Sequence, residues 1–293
     1  MNIKKVFVAG AGLMGSGIAQ VCAQAGFEVI LSDVSAAALE KAMKNINWSV
    51  CKFVEKGKIA GTLEAVMARL TTTADYGLAG EVDLVIEAVF EKMELKKEVF
   101  AILDEKARPE TLIASNTSAI SISELALSTK RPEKVLGLHF FSPVPMMDAV
   151  EVVRGMFTSE ETFLAGKEFV QALGKEPIMV HKDVPGFLIN RINFPSTLEA
   201  MRMVEMGVGT IEDIDKGLRL ASGRRMGIFE TGDMVGLDVT YGALMAIYEE
   251  TRDPRFYPPA ILRRRVKAGW LGRKTGRGWY EYDAEGNRIG PTQ

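Results

Sequence analysis

The stretch that most restricts how this chain can fold lies within its first seventeen residues. Val6-Phe7-Val8-Ala9 is a short apolar run of strand type, and it leads straight into Gly10-Ala11-Gly12-Leu13-Met14-Gly15. Ser16-Gly17-Ile18-Ala19-Gln20-Val21 then begins a helical pattern. A glycine-rich turn between strand and helix makes an anion site. Gly10 permits the tight turn, Gly12 lets backbone approach a phosphate, and Gly15 lets helix pack close on strand. The helix N-terminus, with Leu13 and Met14, supplies free N–H groups and a partial positive charge. Alone, such a loop fits a tight turn in any α/β protein. Here Phe27-Glu28-Val29-Ile30-Leu31-Ser32 reads as a second strand. Asp33 ends it about 20 residues past the glycines, where a carboxylate can bond a ribose 2′-hydroxyl. The combined context is that of a dinucleotide site, and Asp33 favours NAD over NADP because a 2′-phosphate would face a like charge.

Beyond Asp33, strand and helix signals alternate. Residues 34–73 read as helical, with Leu39, Met43, Ile46 and Val50 at helical spacing and a second short helix around Leu63–Leu70. This pair, an insertion over about residues 35–70, is either a packing hairpin or an arm over the active-site crevice. Strands are expected at Val82–Ile86, Thr111–Ala114, Val135–Phe141, Ala149–Val153 and Pro177–Val180. Helices are expected at about Met93–Ala107, from Ser121 onward, and over Glu160–Leu173. Ser121-Ile122-Ser123-Glu124 has capping-box spacing. The alternation predicts a Rossmann-type α/β domain over residues 1–183, with a doubly wound, mainly parallel sheet. From residue 184 the character changes. Helices are expected over Phe187–Met206, from the N-cap Thr210, and over Leu237–Tyr248 and Pro259–Ala268, which makes 184–293 an all-helical second domain. Leu198, Met201, Met203, Val204 and Met206 are either bundle core or a homodimer interface.

Bulk properties exclude several classes of partner. The 293 residues are 47% hydrophobic and 25% charged, with a formal net charge of −2. A near-neutral chain offers no polyanion surface, so nucleic-acid binding is not expected. No apolar run approaches membrane-spanning length. Cys22 and Cys51 show neither pairing nor metal spacing, which suits a reducing compartment, and no metal site is read. No leader is read ahead of the first strand, so the cytoplasm is the expected location, although a trimmed organellar form would read the same.

There are two histidines. His139 sits near the end of an expected strand, just before the Pro-broken turn Ser142-Pro143-Val144-Pro145, and ligands of open α/β sheets bind beyond strand carboxyl ends. A histidine there can act as a general base at neutral pH. Glu151 lies in an otherwise apolar strand, where a carboxylate requires a partner. His139 is the natural one, and the two readings, a catalytic dyad or a satisfied buried histidine, stand level on spacing alone. His181 reads as a solvated hinge residue. Ser118, at another strand end, is a turn residue or a hydroxyl donor to substrate. Asn190 is a buried tether or a site residue, and Glu91 and Lys96 read equally as an exposed helix start. The basic run Arg263-Arg264-Arg265-Val266-Lys267 reads as a solvated helix end.

Taken in order, these motifs resemble the short-chain (S)-3-hydroxyacyl-CoA dehydrogenases, a family that includes 3-hydroxybutyryl-CoA dehydrogenases. The resemblance rests on Ala9–Gly15, Ser115-Asn116-Thr117-Ser118, His139-Phe140-Phe141-Ser142-Pro143-Val144-Pro145 with Glu151, Pro185–Arg191, and Gly269–Gly276. It implies NAD-dependent oxidation of (S)-3-hydroxyacyl-CoA, or the reverse reduction. It makes His139 the catalytic base, Glu151 its partner, and Ser118 and Asn190 contacts to the substrate oxygens. It also implies cofactor contacts from Glu91, Lys96, Ser118, Ser142 and Lys274 beside the glycine loop and Asp33, and coenzyme A contacts from Ser49 and Lys56. A homodimer through the helical domain is implied as well.

Two departures stand out. The family motif usually has Asn where Ser142 stands, and Asn-His-Pro-Met-Gly-Pro where this chain has Arg224-Arg225-Met226-Gly227-Ile228. The second raises a dicarboxylic 3-hydroxyacyl-CoA as an alternative substrate. A free hydroxy acid or sugar acid, and an idle NAD-binding structural protein, are the remaining alternatives.

Overall fold

The computed structural model describes residues 3–59 and 61–292. Contacts divide the chain into two compact units, Met1–Phe187 and Leu188–Gln293.

The first unit carries strands β1 (Lys5–Ala9), β2 (Glu28–Ser32), β3 (Leu70–Thr73), β4 (Leu84–Glu87), β5 (Leu112–Ser115), β6 (Val135–Phe140), β7 (Ala149–Val153) and β8 (Glu176–Val180). Its helices are α1 (Leu13–Gln24), α2 (Ala36–Glu55), α3 (Leu63–Met67), α4 (Met93–Lys106), α5 (Ile122–Ala126) and α6 (Glu160–Ala172). The strands form one sheet in the order β3-β2-β1-β4-β5-β6-β7-β8. Neighbours are parallel throughout except at β6–β7, which is antiparallel. This is the expected doubly wound, mainly parallel sheet. The order reverses at β1, which has β2 on one side and β4 on the other, and that reversal opens a crevice at the strand carboxyl ends.

β1 shows why the apolar run reads as continuous. Val6, Phe7, Val8 and Ala9 are all fully buried. Val6 and Val8 join a core with Ile18 and Ala19 of α1, whereas Phe7 and Ala9 join another with Val99 and Leu103 of α4. A parallel strand covered by helices on both faces has no polar side to display. Side-chain caps begin the neighbouring helices: Ser35 accepts from the Ala38 N–H, Ser121 from that of Glu124, and Ser159 from that of Thr162.

One sequence expectation is corrected here. Residues 34–73 are not wholly helical, because Leu70–Thr73 forms the edge strand β3, paired with Val29–Ser32. Its middle residues are exposed, so it has no apolar periodicity to announce it. Only the β-branched run Thr71-Thr72-Thr73 hints at a strand.

The second unit contains α7 (Ile189–Glu205), α8 (Ile211–Ser222), α9 (Ile228–Val235), α10 (Leu237–Thr251) and α11 (Ala260–Lys267), then an antiparallel pair, β9 (Tyr280–Tyr282) and β10 (Arg288–Pro291). Thr210 caps α8 by accepting from the Asp213 N–H. α9 is a helix that the sequence did not announce. Its N-terminal N–H groups, those of Phe229 and Glu230, are taken up by Asp215 of α8 at 2.9 and 3.0 Å. With Gly227 at the N-cap position there is no local side-chain oxygen for these groups, so their carboxylate comes from another helix, while Glu230 accepts the Gly227 N–H at 3.0 Å. Burial pushes the Asp215 carboxyl up, against hydrogen bonds from Phe229, Tyr280 and Glu230. Asp233 is likewise buried and accepts from the Trp279 and Tyr280 N–H groups and from the Tyr282 hydroxyl, which ties α9 to the terminal hairpin. Leu198 and Met201 are core residues of this unit, whereas Met206 is exposed. Among the described residues no helix is long and apolar enough to cross a membrane.

Candidate active site

The glycine loop is built as the sequence requires. Gly10 has φ of +108°, and a Cβ there would lie 2.6 Å from the Ala88 carbonyl oxygen. At Gly15 a Cβ would sit 1.8 Å from the Gly10 oxygen, so helix and turn meet with no room for a side chain. Gly12 differs, because a Cβ there would meet nothing within 4 Å. That side of the loop is open. α1 begins at Leu13 with no side-chain cap and no acidic residue in its first turn. An uncapped helix N-terminus beside an open glycine suits an anionic pyrophosphate. Asp33 faces the loop: one carboxylate oxygen accepts from the Ala11 N–H at 2.8 Å and the other from Ser35 at 2.9 Å. Each oxygen keeps a second lone pair for a ribose hydroxyl. The residues present therefore fit NAD.

His139 and Glu151 are register partners across β6 and β7. His139 Nδ1 lies 2.6 Å from Glu151 Oε2, with Glu151 fully buried and His139 6% exposed. A carboxylate accepts hydrogen bonds, so in this contact Nδ1 is the donor and Nε2 is the ring nitrogen left for another partner. Phe141 and Phe187 flank the imidazole at centroid distances of 4.7 and 5.6 Å. The turn that joins the two strands is held from below. Lys175, buried, donates to the carbonyls of Val144 at 3.0 Å and Met147 at 2.6 Å. Burial pushes its ammonium pKa down. Ser142 opens this turn.

At the ends of β4 and β5 a second group assembles. Glu91 Oε1 accepts from the Thr117 hydroxyl at 2.5 Å, the Ser118 N–H at 2.9 Å and the Ser118 hydroxyl at 3.3 Å. Burial opposes ionisation of Glu91, but the Lys96 ammonium and these donors outweigh it and hold its carboxyl below the ordinary range. Lys96 is 1% exposed, which removes the reading of Lys96 as part of an exposed helix start, whereas Glu91 is exposed. Its Nζ lies 2.6 Å from Glu87 and 3.3 Å from Glu91. Two of the participants were given no role of their own in the sequence reading. Glu87 is one. Asn116 is the other, since its Oδ1 accepts the N–H of Phe140, next to His139, at 2.9 Å. The signal for Glu87 was present, a carboxylate closing the apolar run Leu84-Val85-Ile86, the same kind of anomaly that singled out Glu151.

On α2, Ser49 accepts from Gln20 of α1 at 2.9 Å, and Lys56 is exposed at the helix C-terminus. In the second unit Asn190 lies in the first turn of α7, half-buried. Lys274 pairs with Asp238 at 2.6 and 2.8 Å. Arg224 is half-buried and Arg225 exposed, in the turn between α8 and α9. His181 is exposed, with its ring edge against Phe163. Among the described residues no group of three or more His, Cys, Asp or Glu could hold a metal ion.

Residues 5–184 match the NAD-binding domain of 3-hydroxyacyl-CoA dehydrogenase, and residues 186–282 match its C-terminal domain. The chain belongs to the 3-hydroxyacyl-CoA dehydrogenase family. It is 43% identical to a 3-hydroxybutyryl-CoA dehydrogenase of Bradyrhizobium diazoefficiens over 281 residues, 96% of each chain. The crystal structure of FadB2 from M. tuberculosis superposes with a TM-score of 0.93 at 40% identity, covering 97% of this chain and 100% of that one. A 3-hydroxyadipyl-CoA dehydrogenase of Escherichia coli is 40% identical over 99% of this chain and 61% of its own length. This member of the family is thus an NAD-dependent oxidoreductase of the 3-hydroxyacyl-CoA class.

Proposed function

We propose that this enzyme interconverts (S)-3-hydroxyacyl-CoA and 3-oxoacyl-CoA, with His139 as general base in oxidation and general acid in reduction. The buried 2.6 Å contact between His139 Nδ1 and Glu151 carries the reading. It fixes the tautomer, so Nε2 can take the proton of the 3-hydroxyl group. Glu151 then stabilises the imidazolium, and burial strengthens that interaction by excluding water. NAD, when bound, supplies the hydride acceptor for carbon 3. In reduction the imidazolium returns its proton to the 3-oxo oxygen.

Ser118 and Asn190 are assigned to the substrate oxygens. The Ser118 hydroxyl already has one partner in Glu91, which limits its rotation and directs its remaining capacity. Ser49 and Lys56 are assigned to coenzyme A, which makes the α2–α3 insertion a substrate clamp. Gly10, Gly12, Leu13, Met14 and Gly15 are assigned to the pyrophosphate and Asp33 to a ribose. Glu91, Lys96, Ser142 and Lys274 complete the cofactor site. A homodimer through the helical unit, which exposes Ile192, Met206, Val208 and Leu220, and a cytoplasmic location belong to the same reading.

A dicarboxylic acyl group is a second reading. It is supported by the similarity to a 3-hydroxyadipyl-CoA dehydrogenase and by Arg224, half-buried in its turn. The test of the function is NADH production from a panel of 3-hydroxyacyl-CoA esters set beside free 3-hydroxy acids and sugar acids. Turnover of the thioesters is expected. Turnover of the free acids alone would replace the substrate class, and no turnover of either would leave an idle NAD-binding protein.

A further inference from the structure

Glu87 is a buried carboxylate that no step of the proposed reaction uses. It closes β4 at the centre of the sheet, with Ala9 of β1 on one side and Ser115 of β5 on the other. It is fully buried. A carboxylate so placed survives only when it is paired and hydrogen-bonded, and both of its oxygens have donors. Oε1 accepts from Lys96 Nζ at 2.6 Å and from the Val89 N–H at 2.7 Å, while Oε2 accepts from the Ser115 hydroxyl at 2.6 Å.

Each partner leads outward to the site. Lys96 also approaches Glu91 at 3.3 Å, and Glu91 holds the hydroxyl of Thr117 and the N–H groups of Ser118 and Ala119. The Ser115 hydroxyl in turn accepts the Thr117 N–H at 3.1 Å. Both routes from Glu87 thus end on the turn that carries Ser118. The backbone beside Glu87 also supports the glycine loop: the Ala88 N–H donates to Ala9, and the Ala88 oxygen fills the space next to Gly10.

We infer that Glu87 is a positioning residue for the nicotinamide half of the cofactor site, acting through Lys96 on Glu91 and through Ser115 on the Ser118 turn. The inference rests on the reading of Glu91 as an NAD contact. The topology assigns the half. Asp33 ends β2, on one side of the glycine loop, so a dinucleotide that places its adenosine ribose there and its pyrophosphate on α1 must run its other half toward the ends of β4 and β5. Without the charge on Glu87, the buried Lys96 ammonium has Glu91 as its remaining anion within salt-bridge distance. The Glu91 carboxylate would then be drawn inward, away from Thr117 and Ser118.

Two probes separate this from general damage. NADH spans both halves of the site, whereas ADP-ribose lacks the nicotinamide. In Glu87→Gln the dissociation constant for NADH, read by its fluorescence, should rise about tenfold or more, as expected for losing a charge-assisted hydrogen bond. That for ADP-ribose should stay within about twofold, a change of under half a kcal/mol. A second variant, Ser115→Ala, cuts the other route from Glu87 to the Ser118 turn and leaves the Glu87–Lys96 and Lys96–Glu91 pairs in place. It should show the same selective loss by a smaller factor. An unchanged NADH affinity in Glu87→Gln, or an equal loss for both probes, overturns the inference. Because the readout is binding, a selective loss supports the role of Glu87 even in a protein that failed to turn over acyl-CoA esters.

Discussion

His139 and Glu151 face each other in register across the antiparallel step of an otherwise parallel sheet, 2.6 Å apart. The reversal of β7 brings a residue twelve positions later back beside the imidazole. Replacing His139 by Gln should lower turnover by about 10²–10⁴-fold, the usual contribution of a general base. Affinity for NADH should stay near wild type. Glu151→Gln should lower turnover too, because the imidazolium loses its counter-charge. Steady-state rates with 3-hydroxybutyryl-CoA decide the matter, and a near-normal rate for His139→Gln would remove the histidine from the mechanism.

Gly10 and Gly12 should respond differently to the same methyl group. At Gly10 the added Cβ meets a carbonyl oxygen at 2.6 Å and the φ of +108° is strained for alanine, so Gly10→Ala should lower the melting temperature. At Gly12 the space is open. Gly12→Ala should therefore change stability by no more than about 1 kcal/mol and yet weaken NADH binding, since the methyl group occupies the path to the helix N-terminus. Thermal melts and NADH titrations of the two variants test the contrast. Unaltered NADH binding in Gly12→Ala would move the pyrophosphate elsewhere.

Asp33 should make NAD strongly preferred over NADP, because a 2′-phosphate would meet its carboxylate. Asp33→Ala should narrow the preference, mainly through weaker NAD binding. Part of that loss should come from the freed Ala11 N–H, which Asp33 now holds at 2.8 Å. The measurement is the ratio of the two kcat/KM values. Equal use of NADP by the wild-type enzyme would contradict the assignment of Asp33 to the ribose.

The Glu91 carboxyl is held below its ordinary value of 4.5, because Lys96 and the donors of Thr117 and Ser118 outweigh the effect of burial. A carboxylate with a depressed folded pKa contributes stability that is present in full above the unfolded value and lost as pH falls through the folded one. The stability difference between wild type and Glu91→Gln should therefore be constant near neutral pH and shrink below about pH 4.5. Denaturant titrations at a series of pH values would show it, and a difference that grew toward acid would reverse the sign argued here.

The acyl preference is tested at Arg224 and Arg225. An arginine fork can take a terminal carboxylate by two hydrogen bonds. If the half-buried Arg224 does so, Arg224→Ala should lower the kcat/KM ratio of 3-hydroxyadipyl-CoA to 3-hydroxybutyryl-CoA, on the order of a hundredfold. The exposed Arg225 should matter less. No change in the ratio for either variant would make the pair surface charge.

Local sequence determined the glycine loop, the order of strands and helices up to β8 except for β3, the caps at Ser121 and Thr210, and the two anomalous residues His139 and Glu151. These follow from short-range rules: a tight turn needs glycine, a strand covered on both faces is wholly apolar, and a carboxylate among valines requires a partner. Tertiary structure decided what depends on pairing at a distance. β3 became a strand by adding to the edge of β2, and α9 took its cap from Asp215 on another helix. Lys96, which as sequence could equally have been surface charge, was drawn into the interior because the buried Glu87 at the end of β4 and Glu91 in the loop after it offer it two anions. A buried charge is fixed by the partners that the fold brings to it, and spacing along the chain carries no record of that meeting.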